Sequence, residues 1–318
     1  MSIAPVRDAA TVLLLRGEAP FEVFLVKRTS KAAFMANAMV FPGGRVDAED
    51  ASDALAARCD VDRAEAATRL GMDDGAVALA LLVAAARETF EEAGVLLARR
   101  RDGTPLAFDD PAEAAHFGAQ RDALNAGTLR FGALLHAADL TLALDALRFQ
   151  SRWITPPIES RRFDARFFAV RAPAGQRPLH EGSETVASTW LSPAAAVSAY
   201  GAGEVELAPP TLRILMELAA LRTAEAALAH RAAPPPPTSP SPPARATSFT
   251  CCCRAIRPTI HRARRATASS CGAGAGCPRG GATDSASAPV PPPGTPPGTA
   301  PAAPSASLSP CPPARIPP

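Results

Sequence analysis

The sequence predicts one α/β domain followed by a disordered extension, and three observations carry that expectation. Apolar runs of strand length alternate with longer helical stretches as far as His230. The 86 residues from Ala233 to Pro318 hold 22 of the 34 prolines and six of the seven cysteines, with one aromatic (Phe249) and one acid (Asp284). Such a stretch cannot bury a core. Charge divides at the same place, with net −5 over residues 1–232 and net +7 over the tail, so the overall +2 describes neither part. The 232 residues of the body are ample for one α/β domain, expected over 8–232, with the tail as 233–318.

Ala10–Arg16 (ATVLLLR) and Glu22–Arg28 (EVFLVKR) read as strands joined by a turn at Gly17–Pro20. Ala38–Phe41 is a third strand-like run, stopped by Pro42-Gly43-Gly44, so a strand followed by a glycine loop is expected. Residues 45–76 are rich in Ala, Asp and Arg and read as a helical insertion lying over the surface, with helix around Ser52–Leu70. Leu79–Ala93 is a strong helix stopped by Gly94, with a strand from Val95. Helices are expected at Pro111–Asn125 and through Phe131–Leu147, and strands at Arg166–Val170 and Thr185–Leu191. Ser192-Pro193 supplies an N-cap and a first-turn proline for a helix to about Tyr200. A last helix, Thr211–His230, places Ile214, Leu215, Leu218, Leu221 and Leu228 along one side for docking.

Several function classes are excluded. The longest apolar stretches, such as Val77–Ala86, are far short of the roughly 20 residues of a membrane helix. Met1–Arg16 lacks the pattern of a secretory signal, and the lone Cys59 of the body suits a reducing, cytoplasmic setting. An acidic body without a helix-turn-helix argues against a nucleic-acid partner.

Chemistry concentrates in Ala84–Val95, AAARETFEEAGV. On a helix Glu88, Glu91 and Glu92 share one side with Leu81, Ala84 and Ala85, while Leu79, Leu82, Ala86, Thr89, Phe90 and Ala93 take the other. The acids occupy the last turns before Gly94, where the helix dipole disfavours carboxylates by roughly 0.3–1 kcal/mol each. Arg87 can offset part of this by pairing with Glu91, and the remaining deficit suits a divalent cation. Alanines at 84 and 85 are expected to keep that face low and leave room for a bulky ligand.

Phe41-Pro42-Gly43-Gly44 together with Arg87-Glu88-Thr89-Phe90-Glu91-Glu92-Ala93-Gly94-Val95 resembles the Nudix hydrolases, whose signature runs Gly, five residues, Glu, seven residues, Arg-Glu-U-x-Glu-Glu-x-Gly-U, with U bulky and apolar. The second half matches at every fixed acid, arginine and glycine, with Thr89 in an apolar place. Counting from Gly44, the spaced acid falls on Asp50, and the Arg-Glu pair arrives late, as it does in the branch of peroxisomal coenzyme A diphosphatases, which carries an insertion there. Further fragments suit that branch: Phe34-Met35, Ser151-Arg152-Trp153-Ile154-Thr155-Pro156, Arg161-Arg162-Phe163-Asp164 and Trp190-Leu191-Ser192-Pro193.

The resemblance implies an α/β/α sandwich with a mixed sheet and metal-dependent hydrolysis of a diphosphate in a nucleoside diphosphate derivative, with coenzyme A or its thioesters favoured. It implies Mg²⁺ or Mn²⁺ held by Glu88, Glu91 and Glu92 with a backbone carbonyl at Gly44, acids oriented by Arg87, and substrate bound at Gly43, Gly44 and Arg45. Cleavage of ADP-ribose or a dinucleotide is the alternative within the family. A nucleotide-sensing module is the alternative outside catalysis, and the retained glutamates and Arg87 speak against it.

Phosphoanhydride cleavage is mostly charge neutralisation and positioning, which suits hard cations on oxygen ligands. Glu181 and Glu184 are candidates for an extra ligand or base, while Glu49 and Asp50 either replace the displaced signature acid or decorate the insertion. Arg28, Arg45 and Arg162 are candidates to steer phosphates. Trp153 and Trp190 read as packing residues, and His116, His136 and His180 show no metal-ligand spacing. The tail residues Cys251–Cys253, His261, Cys271 and Cys277 lack the short paired spacings of a zinc site.

Overall fold

The computed structural model describes residues 4–30, 35–182 and 184–230. The chain divides into two units, Met1–Ala246 and Thr247–Pro318, and all the described residues lie in the first. Phe34 and the tail 233–318, with its cysteines and His261, lie outside the described residues.

Strands β1 (Val6–Arg16) and β2 (Glu22–Arg28) pair antiparallel beside their turn, Leu15 opposite Val23 and Arg16 opposite Glu22. Beyond it the chain from 39 to 45 takes over as partner to both: β3 (Met39–Val40) pairs with β2, and β4 (Gly43–Arg45) pairs with β1. Pro42, between them, has no N–H to place, and its carbonyl accepts the Val12 N–H at 2.8 Å. A 3₁₀ turn (Ala48–Ala51), α1 (Asp53–Ala56) and α2 (Arg63–Leu70) lead into the central helix α3 (Gly75–Ala93). Then follow β5 (Ala98–Arg99), α4 (Pro111–Asn125), α5 (Phe131–Ala137) and β6 (Thr141–Leu142). Next come β7 (Arg148–Ile154), β8 (Arg162–Arg171), β9 (Thr185–Leu191), α6 (Pro193–Gly201), α7 (Pro209–Leu218) and α8 (Ala224–Ala229).

The sheet runs β3-β2-β1-β8-β7, with β4 added to β1 and β9 to β2. It is mixed, because β8 lies parallel to β1 while the other pairings are antiparallel. On one face Ala10, Val12, Leu14, Phe24, Val26 and Phe168 pack against α3. On the other, Leu13, Leu15, Val23, Leu25 and Phe167 meet Ala196, Ile214, Leu215 and Leu218 of α6 and α7. Helices on both faces explain why Val12–Leu15 is apolar without alternation: each successive side chain enters a different core. The architecture is the α/β/α sandwich expected from the sequence.

Several local expectations are corrected. Residues 45–76 do not lie over the surface: Leu55, Val61, Ala66 and Leu70 are buried against the α3 layer. Helix α3 starts at Gly75, because the Asp74 carboxylate caps the N–H groups of Ala76 and Val77. The helix expected through Phe131–Leu147 stops at Ala137. There the apolar spacing changes to alternation at Leu140, Leu142 and Leu144, all buried, and Asp139 turns the chain with a φ of 48°. The segment after it includes β7, which no reading of the sequence placed. From Val95 the chain is buried, but only Ala98–Arg99 is strand. The last helix is two, since the Thr223 hydroxyl caps Ala226 and opens α8. Among the described residues no helix is long and apolar enough to cross a membrane.

Candidate functional site

Helix α3 places Arg87, Glu88, Glu91 and Glu92 beside β4, and the local sequence explains the placement. Ala78–Ala86 is buried all round the helix, so the expectation of one packed face and one low open face at Ala84 and Ala85 is corrected: both alanines have zero exposure. Small residues are needed there because the sheet and the α2 layer close on α3 from two sides. Thr89, in an apolar position, is also fully buried, and its hydroxyl donates to the Ala85 carbonyl at 2.7 Å. Gly94 ends the helix at a φ of 68°, as its place after the acids suggested.

Arg87 is the hub. Its Nε and Nη2 donate to the two oxygens of Asp50 at 2.9 and 3.0 Å, and Nη2 also donates to the Arg45 carbonyl at 3.0 Å. Nη1 donates to Glu88 at 3.0 Å and Glu91 at 2.8 Å. Arg87 is 7% exposed and Asp50 1%. Burial works against the guanidinium charge, but the Asp50 bonds and the charges of Glu88 and Glu91 outweigh it, and its pKa lies above the ordinary arginine value.

The glycines are not in a loop, as expected, but in β4, and each is required there. A Cβ at Gly43 would sit 2.4 Å from the Ala10 carbonyl oxygen and 2.5 Å from Thr11 Cα. A Cβ at Gly44 would sit 2.5 Å from the Glu88 carboxylate. The Gly43 N–H donates to Glu92 at 2.9 Å, which ties the end of α3 to β4.

Asp50, Glu88 and Glu91 share one arginine and Glu92 bonds to none among the described residues, and the imbalance shows in the acidities of the three glutamates. Burial raises Glu88 to about 7; Arg87 opposes the shift, while Glu91 and Asp50 add to it. Burial likewise raises Glu92 to about 8, with the Glu88 charge, against the Gly43 N–H and the charge of Arg28. Glu91 is raised as well, again first by burial, with Arg87 holding it back. These are oxygen donors short of positive charge, which is what a hard divalent cation supplies. Among the described residues no three His, Cys, Asp or Glu side chains already enclose a common point: Arg87 occupies Glu88 and Glu91, and Gly43 holds Glu92.

The other candidates divide. Arg45 reaches the site through its carbonyl, while its exposed guanidinium pairs with Asp47 at 2.9 Å. Glu184 is exposed and its charge reaches Glu92; Glu181 caps the turn before β9, accepting from the N–H groups of Glu184 and Thr185. Arg28 faces Glu92 electrostatically, and its Nε is buried without a partner. Arg162 instead binds the carbonyls of Thr155 and Ala4. Trp190 packs between Phe24 and Arg16, and His136 and His180 bond to Arg58 and Ser188. Sequence reasoning left Asp50 undecided, although its spacing from Gly44 was the signal, and it passed over Arg121, which donates to the Glu91 carbonyl at 2.9 Å.

Residues 61–218 match the family description "NUDT19 Nudix domain". The chain is 31% identical over 262 residues to the acyl-coenzyme A diphosphatase NUDT19 of Gallus gallus, covering 67% of this chain and 68% of that protein. It is 29% identical over 235 residues to the Homo sapiens protein of the same name, covering 63% of this chain and 60% of that one. The chain thus spans about three fifths to two thirds of the length of these relatives. Among solved structures, a NUDIX hydrolase from Alicyclobacillus acidocaldarius superposes with a TM-score of 0.54 at 31% identity, over 72% of this chain and 98% of that one.

Proposed function

The chain belongs to the Nudix hydrolase family, and from that premise we propose that it hydrolyses the diphosphate linkage of coenzyme A or an acyl-coenzyme A with a divalent cation, Mg²⁺ or Mn²⁺. The observation that carries this reading is the partly neutralised group of acids on α3, Glu88, Glu91 and Glu92, around a single arginine and against a backbone stripped of side chains at Gly43 and Gly44. The coenzyme A part rests on the names of the relatives.

In this reading Glu88, Glu91 and Glu92 hold the cation with a carbonyl at Gly44. A bound cation neutralises phosphate oxygens and acidifies water. Arg87, fixed by Asp50, keeps Glu88 and Glu91 turned to one side, where they would hold the cation. The absence of a Cβ at Gly44 lets the Glu88 carboxylate lie against the β4 backbone, beside the carbonyl that would share the cation. Arg28, near Glu92, supplies positive charge on the substrate side.

The test is turnover of coenzyme A, acyl-coenzyme A, ADP-ribose, NADH and diadenosine polyphosphates with Mg²⁺ or Mn²⁺. Glu91→Gln and Glu92→Gln should each lower kcat by at least about 100-fold while the protein stays folded. Turnover indifferent to both substitutions removes the site assignment, and preference for ADP-ribose over coenzyme A removes the substrate.

A further inference from the structure

The C-terminal end of α3 also borders a cavity of about 610 Å³ that the reaction above does not use. Its roof is one face of α4: Pro111, Ala114, Phe117, Gly118 and Arg121 recur at helical spacing along it. Its floor is Phe90, Ala93 and Gly94, and its far wall is the chain at Gly175–Leu179. That wall is held rigidly, because buried Gln176 makes three hydrogen bonds of 2.8–3.0 Å to the backbone of Leu96 and Leu106. The small residues of α4 leave the space open, and a Cβ at Gly118 would meet nothing within 4 Å.

The lining is mostly apolar, yet two arginines converge on it. Arg121 lines the cavity, its Nε held by the Glu91 carbonyl, while its Nη2 is buried with no hydrogen-bond partner. A guanidinium nitrogen buried without an acceptor costs roughly 1–3 kcal/mol or more, and a turn of the guanidinium toward the cavity that Arg121 already lines would bring it to an acceptor there. Burial pulls Arg121 below the ordinary arginine value, with Glu181, Asp122 and Glu92 opposing only from a distance. Arg177 sits exposed on the lining, and Asp109, at the edge near Gly175, is its one carboxylate.

We propose that this cavity binds a phosphate group at the nucleotide end of the substrate, with Arg121 as its principal partner and Arg177 as the second. The proposal rests on the reading of α3 as the site of diphosphate cleavage. In a coenzyme A molecule the one anionic group beyond the diphosphate is the phosphomonoester on the ribose; the pantetheine arm is neutral and cannot satisfy a guanidinium. Arg121 is tied to the helix that carries the acids by its hydrogen bond to the Glu91 carbonyl, and the substrate must pass around the C-terminal end of α3 from the acids to the cavity.

The experiment compares coenzyme A with dephospho-coenzyme A, which lacks only that phosphate, in turnover with Mg²⁺ and in calorimetric binding without divalent cation. Wild type should favour coenzyme A in both. Arg121→Gln should abolish the preference, with KM for coenzyme A rising at least about tenfold and dephospho-coenzyme A little affected. Gly118→Leu fills the cavity from a helical position that tolerates leucine, and it should weaken coenzyme A binding similarly even if Arg121→Gln misfolds. Unchanged KM and binding in Gly118→Leu overturns the proposal, and so does a preference for coenzyme A over dephospho-coenzyme A that survives in folded Arg121→Gln. Failure of the cleavage reading looks different: Glu91→Gln would then leave turnover unchanged, whatever the cavity variants do.

Discussion

Asp50 and Arg87, 37 residues apart in the chain, meet in a buried pair closed by two hydrogen bonds. The pair fixes the guanidinium edge-on, so that its remaining nitrogen faces Glu88 and Glu91. Asp50→Ala leaves the buried Nε without an acceptor while Glu88 and Glu91 still pair the charge, and unfolding in urea should show a loss of roughly 1–3 kcal/mol. Asp50→Asn keeps an acceptor and should cost less, while still loosening Arg87 and weakening Mn²⁺ binding about 10- to 100-fold by calorimetry. A stable Asp50→Ala protein with unaltered Mn²⁺ affinity would mean that Arg87 needs no anchor.

The way these residues came to light shows what a sequence carries and what it hides. Glu22–Arg28, Pro111–Asn125 and Thr185–Leu191 are strands and a helix with the limits expected, because their punctuation is local: a turn, an N-cap followed by proline, a β-branched run. Arg87 and the three acids of α3 were legible for the same reason, since four residues on one helix need only its period to be brought together. Asp50 was not, because its partner depends on how residues 45–76 fold back, and that is set by Leu55, Val61 and Leu70 finding the α3 layer. Ala84 and Ala85 misled for a related reason: a helix drawn alone has an outside, whereas α3 is covered on both sides.

Gly44 tests the close approach directly. Alanine there places a methyl group 2.5 Å from the Glu88 carboxylate, and the carboxylate is the part that must move. Gly44→Ala should therefore fold, with little change in circular dichroism, but lose at least about 100-fold in kcat for the diphosphate substrate. Gly43→Ala meets the backbone of Ala10 and Thr11 first, with the Thr11 hydroxyl next, and because backbone cannot turn aside it should be the more destabilised of the two on thermal melting. The reverse order of stability would contradict the packing of β4 on β1.

Where the folded part can be cut follows from α8. Ala224 and Ala227 are buried, and the Gln150 side chain donates to the Ala227 carbonyl at 3.2 Å. Ending the chain after Ala233 removes none of these contacts and should shift Tm by less than about 2 °C with activity retained. Ending it at Leu218 removes all of them and should lower Tm measurably. A large loss on ending the chain after Ala233 would assign the tail a part in folding or catalysis.

The raised acidities of Glu88 and Glu92 set the sign of a pH dependence. Their ordinary value is 4.5, and burial lifts them to about 7 and about 8 in the folded chain. Between pH 4.5 and 8 the folded protein therefore holds protons that the unfolded chain releases. The contribution of these groups to stability is complete below about pH 4.5 and is lost as pH rises through 7 and 8. Metal-free protein should accordingly show a falling urea midpoint from pH 5 to pH 8.5, and Glu92→Gln should flatten part of that slope. A divalent cation competes with the same protons, so saturating Mg²⁺ or Mn²⁺ should raise the midpoint more at pH 8.5 than at pH 5.5. A metal-free midpoint that climbs across this window, or a cation effect greatest in acid, would mean that the glutamates are already neutralised by Arg87 and have no need of a metal.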